Sequence, residues 1–477
     1  MKVAADQSAR KNFEGSDLIV AEKQTVSYGN PTLRFTHRTA RVTVVLTDYT
    51  EEQIFVRLTG LSTENGNPAV IAPYDKGGDT YTALVAPQTV AAGTAFITCK
   101  FTNGKVFVYK MQSDAEWKAG EEYTYTVSLA AAEDPGYTVS EDGKTYTVYT
   151  DEGLRNVAKL VNEEWKLDIN ITLTGDINLT GIDWTPIGKG YNHQYTGTFD
   201  GGNYTITGLA VTGSDQYAGL FGHIGSGGTV KNVTLKDVKI ESNHSSGNVG
   251  GVAGWSYGNI EYCSVSGSVS SNSTAGGVVG YQSDGAITGC NSSATVKGMV
   301  RAGGVAGATN SGASLTGCYA TGSVSVENNT TSAAYAGGVV GSNGASSTLT
   351  ACYATGSVTG SGSGTIYAGG VTGTNDFGTL TACYHANGTV SGPEGTTGGV
   401  TGRNYKDSML GSGIISACYW GSNPDTGIGY NKGASTTIET TKVDGDWQNA
   451  VTQMNAALSG KGWQYELTGA LPTLKKQ

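Results

Sequence analysis

One short motif recurs seven times and limits the folds that this chain can adopt. It consists of a glycine, an aliphatic residue, a variable residue and a second glycine. The copies are GLFG at 219–222, GVAG at 251–254, GVVG at 277–280, GVAG at 304–307, GVVG at 338–341, GVTG at 370–373 and GVTG at 399–402. Successive copies begin 26 to 34 residues apart. Such a spacing is typical of architectures built by stacking.

A second block follows six of these motifs and begins with a cysteine, as in CSVSGSV from Cys263 and CYATGSV from Cys318. The runs around it alternate, are rich in Val, Thr, Ser and Tyr, and are separated by Gly, Ser and Asn, a pattern that predicts strands and turns. We therefore predict a parallel β-solenoid with about one repeat per coil. A propeller is the alternative, although its blades need four strands in about 40–50 residues.

The repeated cysteines predict a structural ladder. Cysteines in neighbouring coils would lie about 4.8 Å apart with parallel side chains, whereas a disulfide brings the two Cβ atoms to about 3.8 Å. We therefore expect buried free thiols that pack as small hydrophobic groups, with disulfides as the main alternative. The ladder consists of Cys263, Cys290, Cys318, Cys352, Cys383 and Cys418.

A tyrosine follows four of these cysteines. Side chains alternate across a strand, so inward cysteines would place these tyrosines outward on successive coils. The set is Tyr319, Tyr353, Tyr384 and Tyr419, and Asn291 takes the equivalent place one repeat earlier. The four rings are our candidate surface for a ligand or partner, here called the tyrosine strip. The alternative is that the rings stack on one another and stiffen the solenoid.

Outside the repeats, the chain has a different residue pattern. Alternating segments such as RVTVVL from Arg41 and YTYTVSL from Tyr123 predict an antiparallel β-sandwich over residues 1–130, and AAAEDPG at 130–136 resembles a linker. Residues 138–477 form the predicted solenoid. Two helices, near 151–162 and 446–459, are predicted to cover its two ends, because open ends would leave strand edges unpaired. The fold class is therefore all-β with short capping helices.

Charge and hydropathy exclude several classes of protein. The formal net charge is −10, so a basic surface for nucleic acid is not expected. No apolar run approaches the roughly 18 residues that cross a bilayer, so we expect no transmembrane segment. The start, MKVAADQSAR, lacks the apolar core of a signal peptide. Either the protein is cytosolic or a leader lies outside this sequence.

Catalytic chemistry is not expected. Between residues 245 and 400 the chain has seven Asp, Glu, Lys or Arg residues, scattered one or two per repeat. Glycan-cleaving β-helices need clustered acid and base groups. We therefore expect no enzyme activity, no catalytic residue, no metal and no cofactor. Asp176, Asp183 and Asp200 could bind calcium, but they match no calcium loop, and capping of turns is the favoured interpretation.

The repeats resemble the GLUG motif of surface proteins from gut Bacteroidota and of some bacterial immunoglobulin A peptidases. The resemblance extends to TDEGLRNVAKLVN, GDINL, WTPIG and FDGGNYTITGL before the repeats and to ALPTL at 470–474 after them. It covers roughly residues 138–477.

The first part of the chain is similar to fimbrillin-like proteins, the pilin and adhesin subunits of Bacteroidota. The matching stretches are DQS at Asp6, SDLIVA at Ser16, LRFTHRTARVTV from Leu33, VAPQTV from Val85 and AGEEYTYTV from Ala119. The resemblance implies export and lipid anchoring at the outer membrane, with the leader absent from this sequence.

Together these features predict a non-enzymatic cell-surface adhesin or a pilus-related structural protein. Its partners would be a host or bacterial surface protein or glycan, together with other pilus subunits, and not nucleic acid. Two alternatives are a glycan-binding surface protein for nutrient capture and an accessory region of a surface enzyme.

Overall fold

The computed structural model describes residues 3–25, 27–29, 32–49, 54–101, 106–129, 135–140, 142–407, 411–421, 423–432 and 438–477. The chain divides into two compact units, Met1–Asn156 and Val157–Gln477. Both consist mainly of strands, which confirms the predicted all-β class. The predicted boundaries at 130 and 138 stay a prediction, and most of the predicted linker lies outside the described residues.

The first unit contains two main sheets. In the four-stranded sheet the order is Glu122–Ser128, Ala40–Thr47, Thr80–Val85 and Tyr74–Gly77. The three-stranded sheet consists of Ile54–Leu58, Ala95–Phe101 and Val106–Lys110. Smaller pairs join Ile19–Val20 to Thr36–His37, Gln88–Val90 to Ala115–Trp117, and Tyr137–Val139 to Thr145–Val148. The helices are Arg10–Gly15 and the 3₁₀ turn Thr63–Asn65.

One pairing in this unit differs from the antiparallel expectation. Glu122–Ser128 runs parallel to Ala40–Thr47, whereas Thr80–Val85 pairs with the same central strand in the antiparallel sense. Alternating burial along Ala40–Thr47 matches a strand with one face on the core. Alternation reports which face is buried and not the direction of the neighbouring strand, so the sequence pattern did not reveal this pairing.

Side-chain amides help to hold the core of the first unit together. The buried Gln7 side chain donates to the carbonyl of Leu84 at 2.8 Å and accepts from the Leu84 amide at 2.9 Å. Asn67 accepts from the Ala86 amide at 2.7 Å. Each bond satisfies a buried backbone group that would otherwise be unpaired, at a cost of about 1–3 kcal/mol. The DQS stretch therefore has a structural explanation in this fold.

The second unit is a parallel β-solenoid of about ten coils. Three sheets run along it, and we name them the cysteine sheet, the seven-stranded sheet and the nine-stranded sheet. The seven-stranded sheet consists of Tyr217–Ala218, Asn248–Gly250, Thr274–Gly276, Arg301–Gly303, Ala334–Gly337, Ile366–Gly369 and Thr397–Gly398. The nine-stranded sheet consists of Phe221–Ile224, Ala253–Ser256, Val279–Ser283, Ala306–Asn310, Val340–Asn343, Thr372–Asp376, Thr401–Asp407, Gly411–Ser412 and Ile428–Lys432.

The cysteine sheet carries three strand columns. The first column is Asn170–Leu173, Thr198–Asp200, Thr229–Lys231, Asn259–Glu261, Ala286–Thr288, Ser314–Thr316, Thr348–Thr350, Thr379–Thr381, Ile414–Trp420 and Ile438–Lys442. The second column is Ile177–Asn178, Thr205–Thr207, Thr234–Ser242, Ser264–Ser271, Asn291–Ser292, Tyr319–Ala320, Tyr353–Ala354 and Tyr384–His385. The third column adds Ala210–Gly213, Thr295–Gly298, Val324–Glu327, Val358–Ser361 and Val390–Ser391.

An apolar ladder holds successive coils in register. Its rungs are Ile171, Phe199, Val230, Ile260, Ile287, Leu315, Leu349, Leu380 and Ile415. Every one is fully buried. Burying such a side chain stabilises a fold by about 1.5–3 kcal/mol. Because a slip along the strand would turn these residues outward, the ladder also fixes the register.

The glycine signature marks a corner where neighbouring coils approach closely. A Cβ atom on Gly304 would lie 2.2 Å from the carbonyl oxygen of Gly338, and one on Gly338 would lie 2.0 Å from that of Gly370. No side chain fits at such distances. The motif that revealed the repeat is thus a packing requirement of the coil.

Polar residues line part of the interior as a hydrogen-bonded ladder. Thr309 donates to Asn343 at 2.9 Å, Asn343 donates to Asn375 at 2.8 Å, and Asn375 donates to Asn404 at 3.1 Å. All four side chains are buried. Buried amides are tolerated here because each finds a partner on the next coil.

Both predicted helices are present. The first is Asp151–Glu163, and the Thr150 hydroxyl caps it by accepting from the Gly153 amide at 3.0 Å. Its apolar face is buried and consists of Leu154, Val157, Ala158 and Val161. The second is Gln448–Ala457, followed by a hairpin of Trp463–Glu466 and Thr473–Lys476. A 3₁₀ turn, Tyr191–His193, precedes the repeats.

Candidate functional surfaces of the solenoid

The six repeated cysteines lie at equivalent positions of successive coils, and all are buried and free. Each thiol points at a carbonyl of the preceding coil or of its own strand. Cys318, for example, lies 3.4 Å from the oxygen of Ile287 and 3.5 Å from that of Thr316. Burial raises the thiol pKa of Cys318 and Cys352 well above the usual range, so both thiols stay protonated at neutral pH. Buried free thiols of this kind pack as small hydrophobic groups.

The residue before each cysteine turns the chain through a left-handed corner. The set is Tyr262, Gly289, Gly317, Ala351, Ala382 and Ala417, with φ between 50° and 67°. Only glycine adopts this region without strain, so the alanines and the tyrosine store some strain that the stacked coils compensate. The recurrence of glycine or alanine at five of these six positions was the available sequence signal.

The rings of the tyrosine strip stack on one another, as the second of our two interpretations predicted. Ring centroids of Tyr319 and Tyr353 lie 4.9 Å apart with planes 3° from parallel, and Tyr353 and Tyr384 repeat this at 4.9 Å and 5°. The rings point away from the coil interior, as alternation predicted.

The exposure expected for this strip is not found, and the prediction needs a correction. Tyr353 is 9% exposed, Tyr384 is 0% exposed and Tyr419 is 8% exposed, while Tyr319 is partly buried. They share one apolar cluster with Trp447, Met454, Leu458 and Tyr465, all from the C-terminal segment. The strip is therefore an internal contact, and its rings are not available to a ligand in this structure.

The C-terminal segment, residues 447–477, lies along the flank of the solenoid, and we call it the strap. Its helix packs on the tyrosine strip. A capping role for this helix at the end of the solenoid stays a prediction. Its hairpin continues back along the coils: the Tyr465 hydroxyl donates to the Ala382 carbonyl at 2.9 Å. The Trp463 ring lies against Gly317, and the Lys476 ammonium lies 4.8 Å from the Tyr262 ring centroid. The strap thus contacts coils from Tyr262 to Tyr419.

A second aromatic group lies on the other side, where the seven- and nine-stranded sheets meet. We call it the His223 cluster, and its members are Tyr191, Tyr217, His223, Trp255, Tyr257 and Tyr281. Trp255 and Tyr281 stack at 4.2 Å and 11°, and His223 stacks on Tyr257 at 5.6 Å and 23°. No strap residue takes part in these ring contacts within the described part of the chain.

The His223 cluster contains buried polar atoms without a protein partner. His223 is 1% exposed, and neither of its ring nitrogens has a hydrogen-bond partner in the described residues. The same holds for the indole nitrogen of Trp255. Burial lowers the pKa of His223 to about 4, so its ring is neutral at pH 7. Unpaired buried polar groups are costly in a folded protein, and this cluster brings three of them together.

A third group, farther along the same side, is already occupied by the chain itself. The Arg403 guanidinium lies 5.0 to 5.1 Å from the ring centroids of Tyr335, Tyr367 and Tyr405 and pairs with Asp376 at 2.6 Å. These contacts satisfy a largely buried cation. We assign this group a structural role.

Two of the three aspartates that we considered for calcium, Asp176 and Asp200, accept hydrogen bonds from backbone amides. Asp200 accepts from the Gly202 amide at 3.0 Å and pairs with Lys231 at 3.3 Å. Asp176 accepts from the Thr205 amide at 2.8 Å. Among the residues that the structure describes, no three His, Cys, Asp or Glu side chains lie close enough to hold a metal ion. In the same described ranges, no helix has the length and hydropathy needed to cross a membrane.

Comparison with known families confirms both resemblances. Residues 1–143 match the family described as fimbrillin-like. Residues 245–270 and 271–297 match the GLUG motif.

A curated relative, halomucin of Haloquadratum walsbyi, is 30% identical over 258 residues. That alignment covers 48% of this chain and 3% of halomucin, so this chain spans only a small part of its relative.

Two crystal structures from Bacteroides ovatus are similar at a distance. One, named provisionally as an immunoglobulin A1 protease, shares 18% identity at a TM-score of 0.44, covering 72% of this chain and 95% of that one. The other, a fimbrial protein, shares 19% identity at a TM-score of 0.18, covering 30% of this chain and 33% of that one. Neither likeness is close enough to inform function.

Proposed function

We propose that this chain, in which a fimbrillin-like domain precedes GLUG repeats, is a surface structural or adhesin-like protein without catalytic activity of its own. The observation that carries the proposal is the fimbrillin-like match over residues 1–143, nearly the whole of the first compact unit. In this role the first unit serves assembly or anchoring, and the solenoid presents a surface to a partner.

The packing of the solenoid supports a display role. The fully buried ladder joins each coil to the next, and the strap crosses several coils. A coil in a solenoid contacts only its neighbours, so a segment that spans many coils adds long-range support to an otherwise local fold. A surface exposed to shear and proteases benefits from such resistance to local opening.

The distribution of charge supports a role without catalysis. The few charged residues of the repeats lie apart in sequence, and several pair with one another, such as Lys297 with Glu327 at 3.2 Å and Arg403 with Asp376. A carboxylate held by a cation is a poor general acid at neutral pH. Binding through aromatic and neutral polar groups fits this surface better.

The finer assignment is adhesion to a host or bacterial surface, with the chain exported and anchored by lipid at the outer membrane, beside pilus subunits. Protease treatment of intact producing cells tests the surface assignment. We expect the chain to be degraded on intact cells while a cytosolic marker survives. Full protection until the cells are lysed would contradict the proposal.

Adhesion and catalysis need a second experiment on the purified full chain. Beads coated with the chain should bind mucin, extracellular matrix or bacterial cells more strongly than beads coated with albumin. Incubation with immunoglobulin A1 should leave the antibody intact, because the charged residues of the repeats lie apart and the described residues contain no cluster that could hold a metal ion. Cleavage of the antibody would overturn the non-enzymatic assignment.

A further inference from the structure

We propose that the His223 cluster binds a neutral oligosaccharide. This inference rests on the proposed surface function and deepens it, because it names a ligand class and a site for it. It concerns a different side of the solenoid from the covered tyrosine strip.

The cluster offers ring surface to solvent, unlike the strip. Tyr191 is 67% exposed, and Tyr217, Trp255, Tyr257 and Tyr281 are each partly exposed. The apolar C–H faces of sugar rings pack well on aromatic faces, which carry a negative quadrupole. His223, Trp255 and Tyr281 occupy equivalent positions on three successive coils, and two coil spacings span about 10 Å. A short oligosaccharide covers such a distance.

The unpaired polar atoms indicate hydroxyl groups as the complement. A neutral imidazole has one nitrogen that donates and one that accepts, and the indole nitrogen donates. All of them lack protein partners in the described residues. A sugar hydroxyl both donates and accepts, so a single class of group can satisfy all of these positions. An aliphatic or purely aromatic ligand would leave them unpaired.

The charge of the cluster argues for a neutral ligand. It consists of four phenols, an indole and the neutral imidazole of His223, and none of the ion pairs or cation–π contacts in the described residues involves them. The whole chain has a net charge of −10, which repels uronate or sulfate groups. A neutral glycan therefore fits better than an acidic one.

The Tyr191 ring lies next to the buried imidazole and controls access to it. Tyr191 begins the three-residue turn Tyr191–His193, and its ring centroid lies 5.9 Å from that of His223 at 73°. A short 3₁₀ turn has few bonds to hold it in place. In the bound state, the Tyr191 ring shifts sideways and packs on the sugar, and a hydroxyl takes its former place over His223.

The first experiment is a glycan array with the purified full chain, carrying neutral and acidic plant, microbial and animal glycans. The best binder is then titrated by calorimetry. We expect saturable binding to neutral glycans. Three results would overturn the inference: binding to acidic glycans alone, binding only to peptides or to deglycosylated mucin, or no binding at all.

Variants locate the site. Tyr191→Ala, at an exposed position, should weaken binding by about two- to tenfold. His223→Phe should weaken binding at least as much while the thermal unfolding temperature stays equal or rises, because it removes nitrogens that have no partner in the free protein. The control is Tyr430→Ala, a 41% exposed tyrosine in the nine-stranded sheet outside the cluster. Full-strength binding by the two cluster variants would contradict the site.

The outcome separates the inference from the proposed function. If glycans do not bind but the chain is degraded on intact cells, the surface role stands and the glycan site fails. If the chain is protected on intact cells, the surface role fails whatever the array shows.

Discussion

Two aromatic groups on one solenoid have opposite surroundings. The tyrosine strip is regular, stacked and covered by the strap, whereas the His223 cluster is irregular, mixed in composition and open to solvent. Within the strip, the buried Tyr384 hydroxyl is satisfied by the strap, because it donates to the Pro472 carbonyl. The cluster keeps polar atoms unpaired. The regularly stacked tyrosine strip is a packing contact, whereas the His223 cluster, whose polar atoms are unpaired, is the candidate binding surface.

The comparison also assigns stability and recognition to different sides of the same coils. A side that is covered by a segment of its own chain contributes buried apolar area. A side that keeps unpaired imidazole and indole nitrogens gives up some stability. Substitutions on the two sides should therefore have opposite effects, and the tests below follow from the largest expected change to the smallest.

Removing strap contacts should cost the most. Met454→Ala and Leu458→Ala each delete a fully buried side chain that packs on the tyrosine strip, so each should lower the free energy of unfolding by about 2–5 kcal/mol. Urea unfolding followed by tyrosine fluorescence measures the loss. The exposed Gln453→Ala on the same helix is the control. Equal stability of all three variants would show that the strap does not hold the strip.

Acid should destabilise the native state through the His223 cluster. The pKa of His223 is about 4 in the native state and near 6.5 in the unfolded chain, so only the unfolded chain takes up this proton as the pH falls from 6.5 to 4. The native state should therefore lose on the order of 2–3 kcal/mol relative to the unfolded chain over that range.

The pH test compares His223→Phe with the parent chain by thermal unfolding between pH 7 and pH 4. The variant should lose less stability on acidification, whereas Gln453→Ala, which removes no titratable group, should keep the parent slope. Identical slopes for the parent and His223→Phe would contradict the burial of a neutral imidazole.

Changing the coil spacing should disturb both sides at once. Gly304→Ala would place a Cβ atom 2.2 Å from the Gly338 carbonyl oxygen and 2.4 Å from the Ala320 Cβ. Overpacking of this kind costs about 1–3 kcal/mol. Gly175→Ala, where nothing lies within 4 Å of the added carbon, is the matched control. A neutral Gly304→Ala would refute the close-approach explanation of the repeat motif.

A single hydroxyl should have the smallest effect. Tyr384→Phe keeps the stacked ring but leaves the Pro472 carbonyl without its donor, so the free energy of unfolding should fall by about 1 kcal/mol. Tyr319→Phe, at the less buried edge of the strip, should change it by less than half as much. The reverse order in urea unfolding would show that the hydrogen bond to the strap is unimportant.

Much of the solenoid followed from the sequence because a repeated side chain has the same surroundings in every coil. Glycine at 304 and cysteine at 318 recur with their neighbours, so one coil predicts the next. The strap has no repeat partner, and nothing in its sequence tells which flank it covers. The tyrosine strip was therefore placed correctly relative to the coil interior but wrongly left exposed.

The His223 cluster escaped prediction for a related reason. His223, Trp255 and Tyr281 each follow the second glycine of a motif copy, and this position changes to Ala308 in the next copy. Because the residue at this position differs from one motif copy to the next, the position was not recognised as part of the repeat. The sequence signal was position and not composition: three aromatic rings at one register of successive coils.

Hydrogen–deuterium exchange on the intact chain tests most directly whether the two aromatic groups differ as described. The strap amides of the helix Gln448–Ala457 and of the strand Trp463–Glu466 should exchange as slowly as those of the coils beneath them, because they lie in a packed and hydrogen-bonded layer. Exchange of these amides at the rate of an unstructured peptide would show that the strap is open. The tyrosine strip would then be exposed, and the contrast with the His223 cluster would not hold.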